Sequence, residues 1–268
     1  MAFGSITILI VLVVTALVAV MSKLSGIDPF ALTVDEIQAR SRAIAPYAGV
    51  LILVYLFNRA SHTTTGQRLS TALGVNITDE LYALEGDFVA ALQSLIPLEL
   101  TGFFSSVYLF GFGFILCFSV IAYLFLPTHR HLKELFVAYS ANYGIGALCY
   151  LLFIARGPRK VIDTVREPMF EQYPQVMTFT AEINSSANVF PSLHVSFAVT
   201  VAILAWRTRD DYPLWSWVAT VLAAAIIVST MFLGIHWLID VIAGIGVAVV
   251  SVAIALYAVD RRTSEPYS

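Results

Sequence analysis

The chain has 268 residues, of which 59% are apolar and only 12% charged, with a formal charge of −3 and a mean hydropathy of +0.82. Soluble domains carry about 25% charged residues. The composition therefore excludes a disordered chain, a nucleic-acid binder and an ordinary cytosolic enzyme, and it leaves a polytopic membrane protein.

Seven apolar runs could cross a bilayer. The first, 5–22, lacks the basic n-region and small-x-small cleavage site of a signal peptide and reads as a retained span. The second, 44–57, is short and carries Pro46. Residues 79–96 follow, with Leu81, Leu84, Phe88, Leu92, Leu95 and Ile96 at helical spacing and Glu80, Asp87 and Gln93 between them. This pattern predicts one amphipathic helix lying in the interface, as a connector packed on the bundle or as a lid over a lipid substrate. The remaining runs are 103–126, 132–155, 192–206, 214–235 and 238–258, the fifth of the seven again short. Cys117 and Cys149 both lie inside apolar runs and read as small buried hydrophobes. The pairs Gly111/Gly113, Gly144/Gly146 and Gly244/Gly246 suit close helix packing.

The expected organisation is all-α. It comprises N-terminal spans with the interfacial helix (1–102), a core transmembrane bundle (103–258) and a cytoplasmic tail (259–268). Nine Lys and Arg fall on the side holding 23–43, 127–133, 207–213 and the tail, against six on the other. The positive-inside rule then places the N-terminus outside and the C-terminus inside. The 156–191 loop lies on the outer side. It is long for a bundle connection and carries Arg156, Arg159, Lys160 and Arg166. Two glycosylation sequons, Asn76-Ile-Thr78 and Asn184-Ser-Ser186, lie on that side too.

Chemistry-bearing residues concentrate in the second half. Asp240 sits just inside an apolar span, where an ionisable group usually marks a site. His236 precedes it by four residues, which puts both on one helical face. A carboxylate on one imidazole nitrogen fixes the tautomer and leaves the other as a directed nucleophile or base. Alone, such a pair also fits a purely structural role. The segment Phe190-Pro191-Ser192-Leu193-His194 opens the fifth span, with Pro and Ser suited to a helix start and its free N–H groups suited to phosphate. The seven-span topology brings His194, His236 and the basic loop to one face. Asp240 reads as the one acid within the core of this half. No clustered carboxylates suggest a metal, so activity without metal or cofactor is expected.

These residues resemble the type 2 phosphatidic acid phosphatase superfamily, over roughly residues 130–250. That family carries K-x6-R-P, P-S-x-H and S-R-x5-H-x3-D. The second motif matches as Pro191-Ser192-Leu193-His194. The third matches at Ser229, His236 and Asp240, with Thr230 in place of its arginine. The first is degenerate: Arg159 and Arg166 keep the spacing, but Arg replaces Lys and Glu167 intervenes before Pro168. The phrases around His194 and His236 are also similar to the inositol phosphorylceramide synthase branch. The resemblance implies a bundle with a six-helix phosphatase-like core. It implies His236 as nucleophile, Asp240 as its orienting carboxylate and His194 as acid and base. It further implies Ser192, Arg159 and Arg166 as phosphate ligands. The partners implied are a lipid-phosphate substrate and membrane lipids, with no nucleic acid. A phosphatase is the leading expectation, a lipid phosphotransferase the runner-up, and a non-catalytic transporter or scaffold the third.

Overall fold

The computed structural model describes residues 2–28, 32–61, 70–177 and 188–264. Among the described residues, six helices are long and apolar enough to span a membrane: α1 (Ala2–Leu24), α2 (Val34–Ser61), α5 (Leu98–Leu124), α6 (Arg130–Leu152), α9 (Pro213–Phe232) and α10 (Leu238–Ser264). α8 (Leu193–Arg207) is apolar but has only 15 residues, about 22 Å at helical rise. The protein is thus an all-helical, multi-pass membrane protein. Its one β element among the described residues is a two-residue parallel pair, β1 (Val75–Asn76) with β2 (Phe153–Ile154).

α8 is the central helix, packing on α5, α6, α9 and α10. Its buried face is Val195, Phe197, Ala198, Val201, Leu204 and Ala205. α2 packs on α6 and α1 on α5, and both leave most of their apolar surface exposed, as lipid-facing helices do. Polar contacts cross the bundle where α6 meets α8. Asn142 Nδ2 donates to Thr200 Oγ1 at 3.0 Å, and the Ser196 hydroxyl donates to Asn142 Oδ1.

Several expectations change. α2 starts ten residues before the apolar run that predicts it. A reciprocal capping box sets this start: Glu36 N–H donates to Thr33 Oγ1 at 3.2 Å, and Thr33 N–H to Glu36 Oε2 at 2.8 Å. Pro46 is accommodated inside the helix. The single amphipathic helix over 79–96 is instead two, α3 (Thr78–Glu85) and α4 (Phe88–Leu95). The chain turns a corner between them at Gly86, whose φ of 56° suits glycine.

Cys149 is half-buried and Cys117 is exposed, both free, so neither is the buried hydrophobe expected. The core holds a second acid, in the first half of the chain: Glu134, in α6, is fully buried, held by Arg130 Nε at 2.8 Å and His131 Nδ1 at 3.4 Å. An added Cβ at Gly111, Gly113, Gly146 or Gly244 would meet neighbours at 2.5–3.1 Å, whereas one at Gly144 would make an ordinary contact with Val54 at 3.7 Å and Gly246 is open. Asn76 lies in β1, with its side-chain oxygen taking the Thr78 N–H at 3.0 Å. Asn184 and its sequon fall outside the described residues.

Candidate active site

The site forms where α8 and α10 begin, roofed by the 153–168 segment. The chain returning to α8 is stitched to the end of α6. Val189 N–H donates to Ala155 O at 3.0 Å, and Asn188 bridges the Ala155 N–H and Tyr150 O, each at 3.1 Å. The Phe190–Pro191 peptide is cis, and Tyr150 OH donates to Pro191 O at 3.2 Å. Ser192 follows as the N-cap of α8, fully buried, its hydroxyl accepting the Val195 N–H at 3.5 Å. Its own N–H is engaged by Asp240 O at 3.1 Å, which ties α8 to α10. Gly244 permits that approach, because a Cβ there would sit 2.6 Å from Ser192 O.

His236 occupies the turn between α9 and α10. Ile235 N–H and His236 N–H both donate to Thr230 O, at 3.0 and 3.1 Å. Gly234 makes the turn with φ of 69°. Any side chain there would strike Arg166 O, 2.7 Å from its Cβ position. The turn is therefore wedged against the basic loop, and Arg159 N–H donates to Gly234 O at 3.2 Å.

Asp240, fully buried in the first turn of α10, presents Oδ2 to His236 Nδ1 at 3.3 Å and to Trp237 N–H at 2.9 Å. In the neutral tautomer that this carboxylate favours, the proton sits on Nδ1 and the lone pair on Nε2. His194 is half-buried. Its ring is stacked on Tyr108 at 4.4 Å and lies 4.2 Å from Phe112. Tyr108 stands in a π turn, Val107–Gly111, within α5, and such turns are frequent at functional sites.

The two arginines differ. Arg159 lies over the Phe170 ring at 4.3 Å, with its Nε 3.8 Å from Glu167, and its Nη1 is buried with no hydrogen-bond partner. Burial pushes this guanidinium below its ordinary value, and Glu167 and Tyr108 oppose the shift. Such a donor is matched to an anion. Arg166 is half-exposed and pairs with Glu171 at 2.6 Å, so its backbone borders the site while its guanidinium is held at the surface. Lys160 pairs with Glu167 at 2.5 Å. Thr230, at the position of the family's arginine, is buried with its hydroxyl donating to Ile227 O at 2.8 Å.

Tyr108, Phe112, Glu85 and Gln93 are not signalled by any motif. Gln93 Nε2 donates to Phe232 O at 2.8 Å and to Arg166 O at 3.1 Å, and its Oε1 accepts the Arg166 N–H at 2.9 Å. α4 is thereby a bracket pinned to both sides of the site, as a packed connector would be. The only sequence signal is the polar position of Gln93 on an amphipathic face. Among the described residues, no three His, Cys, Asp or Glu side chains gather where they could hold a metal ion.

Residues 83–254 match the PAP2 superfamily. The chain belongs to this superfamily. The match falls on a chain whose described residues carry six candidate membrane spans. An uncharacterized protein of Methanocaldococcus jannaschii is 28% identical over 172 residues, covering 63% of this chain and 66% of the relative, so the match spans just under two thirds of that relative's length. No solved structure matches the chain.

Proposed function

We propose that this PAP2 protein is a metal-independent lipid-phosphate phosphatase that works through a phosphohistidine. The observation carrying the reading is the buried His236–Asp240 pair, with Nδ1 and Oδ2 3.3 Å apart, an arrangement in which Nε2 would serve as the nucleophile. Nε2 would attack phosphorus, and the bond to the leaving oxygen would break as His194 protonates it. Water would then attack, giving its proton to His194, and the P–N bond would break. Asp240 would hold His236 and balance the charge that develops on it. Arg159, with its unpartnered buried Nη1, would take phosphate oxygens, joined by Arg166 and Ser192.

The substrate class proposed is a phospholipid monoester or a polyprenyl diphosphate. It would enter from the outer leaflet, on the non-cytoplasmic side indicated by the charge asymmetry of the loops. A site at one end of an apolar bundle, bordered by the short helices α3 and α4, favours a lipid over a soluble ester. A second reading is a phosphotransferase moving a phospho-headgroup between lipids, as in the inositol phosphorylceramide synthase branch. Thr230, standing in place of an arginine and bonded into its own helix, favours it.

Phosphate release by the purified protein in EDTA, from phosphatidate and a polyprenyl diphosphate, tests the proposal with His236→Ala as control. Release that survives EDTA and needs His236 is expected. Loss restored only by Mg²⁺ would refute metal independence. No release, but a new lipid when alcohol acceptors are supplied, would select the phosphotransferase. A folded His236→Ala protein with its full biological effect would select a non-catalytic role.

A further inference from the structure

α10 carries the catalytic carboxylate in its first turn, yet the residue before it is Trp237, whose side chain cannot cap a helix. The Trp237 N–H is taken by Asp240 itself. The Ile239 N–H, one residue before Asp240, is taken by Glu85 Oε2 at 3.1 Å, across 154 residues of sequence. Glu85 is the last residue of α3. Its other oxygen, Oε1, is buried with no hydrogen-bond partner. An acid with one buried oxygen unpaired is costly to place there. The free N–H groups and positive dipole end of α10 favour an anion at this point.

We propose that Glu85 is a positioning residue for the reaction: its carboxylate, delivered from α3, fixes the first turn of α10 and with it the Asp240–His236 pair. This rests on the phosphohistidine reading above. Asp240 Oδ2 already serves two donors, Trp237 N–H and His236. If the Ile239 N–H is released, the turn frays and Oδ2 loses its line to the imidazole. α3 would stay docked without Glu85, because its Leu81, with Val89 of α4, shares a buried cluster with Trp237, and the Tyr82 ring lies 6.3 Å from the indole. Removal of the carboxylate therefore addresses the helix start and not the packing of α3.

The test uses the full chain in detergent, with Glu85→Ala, Glu85→Gln and His236→Ala beside wild type. Steady-state release from phosphatidate is read as separate kcat and KM values. Exchange of the α10 first-turn amides is followed by hydrogen–deuterium mass spectrometry. A small displacement of a catalytic group can cost up to about 100-fold. Glu85→Ala is expected to lower kcat about tenfold with KM within about twofold, and to speed amide exchange in that turn. Glu85→Gln, whose carbonyl oxygen can accept the same N–H, is expected to recover most of the rate and the slow exchange. Unchanged exchange in Glu85→Ala, or a Gln variant as impaired as Ala, overturns the inference. Wild-type turnover in His236→Ala would instead overturn the phosphohistidine reading, while the exchange data would still decide the role of Glu85 as a cap. If Glu85→Ala does not fold, Glu85→Leu, which keeps the bulk but has no acceptor, takes its place, with the same loss of kcat and faster exchange expected and unchanged exchange overturning the inference.

Discussion

Asp240→Asn separates the chemistry of the site from its architecture. The side chain is fully buried, and Oδ2 accepts both the Trp237 N–H at 2.9 Å and His236 Nδ1 at 3.3 Å. Asparagine has the same shape, and its carbonyl oxygen can occupy the Oδ2 position and keep both bonds. Its amide nitrogen then lies where Oδ1 is buried without a partner. That unsatisfied donor costs about 1–3 kcal/mol, offset by no longer burying a charge. The melting temperature should therefore move by less than about 4 °C. The chemistry loses much more. A unit charge 3.3 Å from a forming imidazolium contributes about 5 kcal/mol at an effective dielectric of about 20. At about 1.4 kcal/mol per decade, turnover should fall by roughly three to four orders of magnitude. Phosphate release and thermal unfolding, measured on the same detergent preparation, check both halves. A folded Asp240→Asn protein within tenfold of wild-type kcat would refute the argument that this carboxylate supports a charged His236.

Arg159→Ala should reduce turnover more than Arg166→Ala, because Arg159 holds a buried unpartnered Nη1 and Arg166 is occupied by Glu171 at the surface. A lost charge-assisted bond of about 1.5–3 kcal/mol predicts roughly a 10- to 100-fold fall for Arg159, and equal effects would count against the assignment. Gly234→Ala should destabilise the fold by about 1–3 kcal/mol, since it forces a left-handed conformation and drives a Cβ to 2.7 Å from Arg166 O. A melting curve identical to wild type would contradict it. Glu134→Gln, at the opposite end of the bundle, should leave kcat unchanged and cost about 1 kcal/mol of stability, the half-exposed Arg130 limiting the loss. A large drop in turnover with intact stability would mean that this end is coupled to the site.

What the chain determines by itself is local in origin. The membrane class follows from composition, and the spans from runs of apolar side chains whose boundaries depend on nearby residues. Even the early start of α2 is written locally, in Thr33 and Glu36 three residues apart. The pairing of His236 with Asp240 is legible for the same reason: four residues on a helix determine which side chains share a face. Tertiary structure decides the rest, because packing brings together groups that no short window contains. Nothing in the sequence around Tyr108 says that its ring will lie on His194. The corner at Gly86 is hidden because α3 and α4 together keep one apolar periodicity through the break. Arg159 and Arg166 look alike at the family's spacing, and only the fold buries one guanidinium and leaves the other at the surface on a glutamate. The cap on α10 comes from Glu85, 154 residues away. Helix periodicity is set by the backbone within a few residues, whereas the partner of a buried polar group is set by which elements the apolar faces bring together.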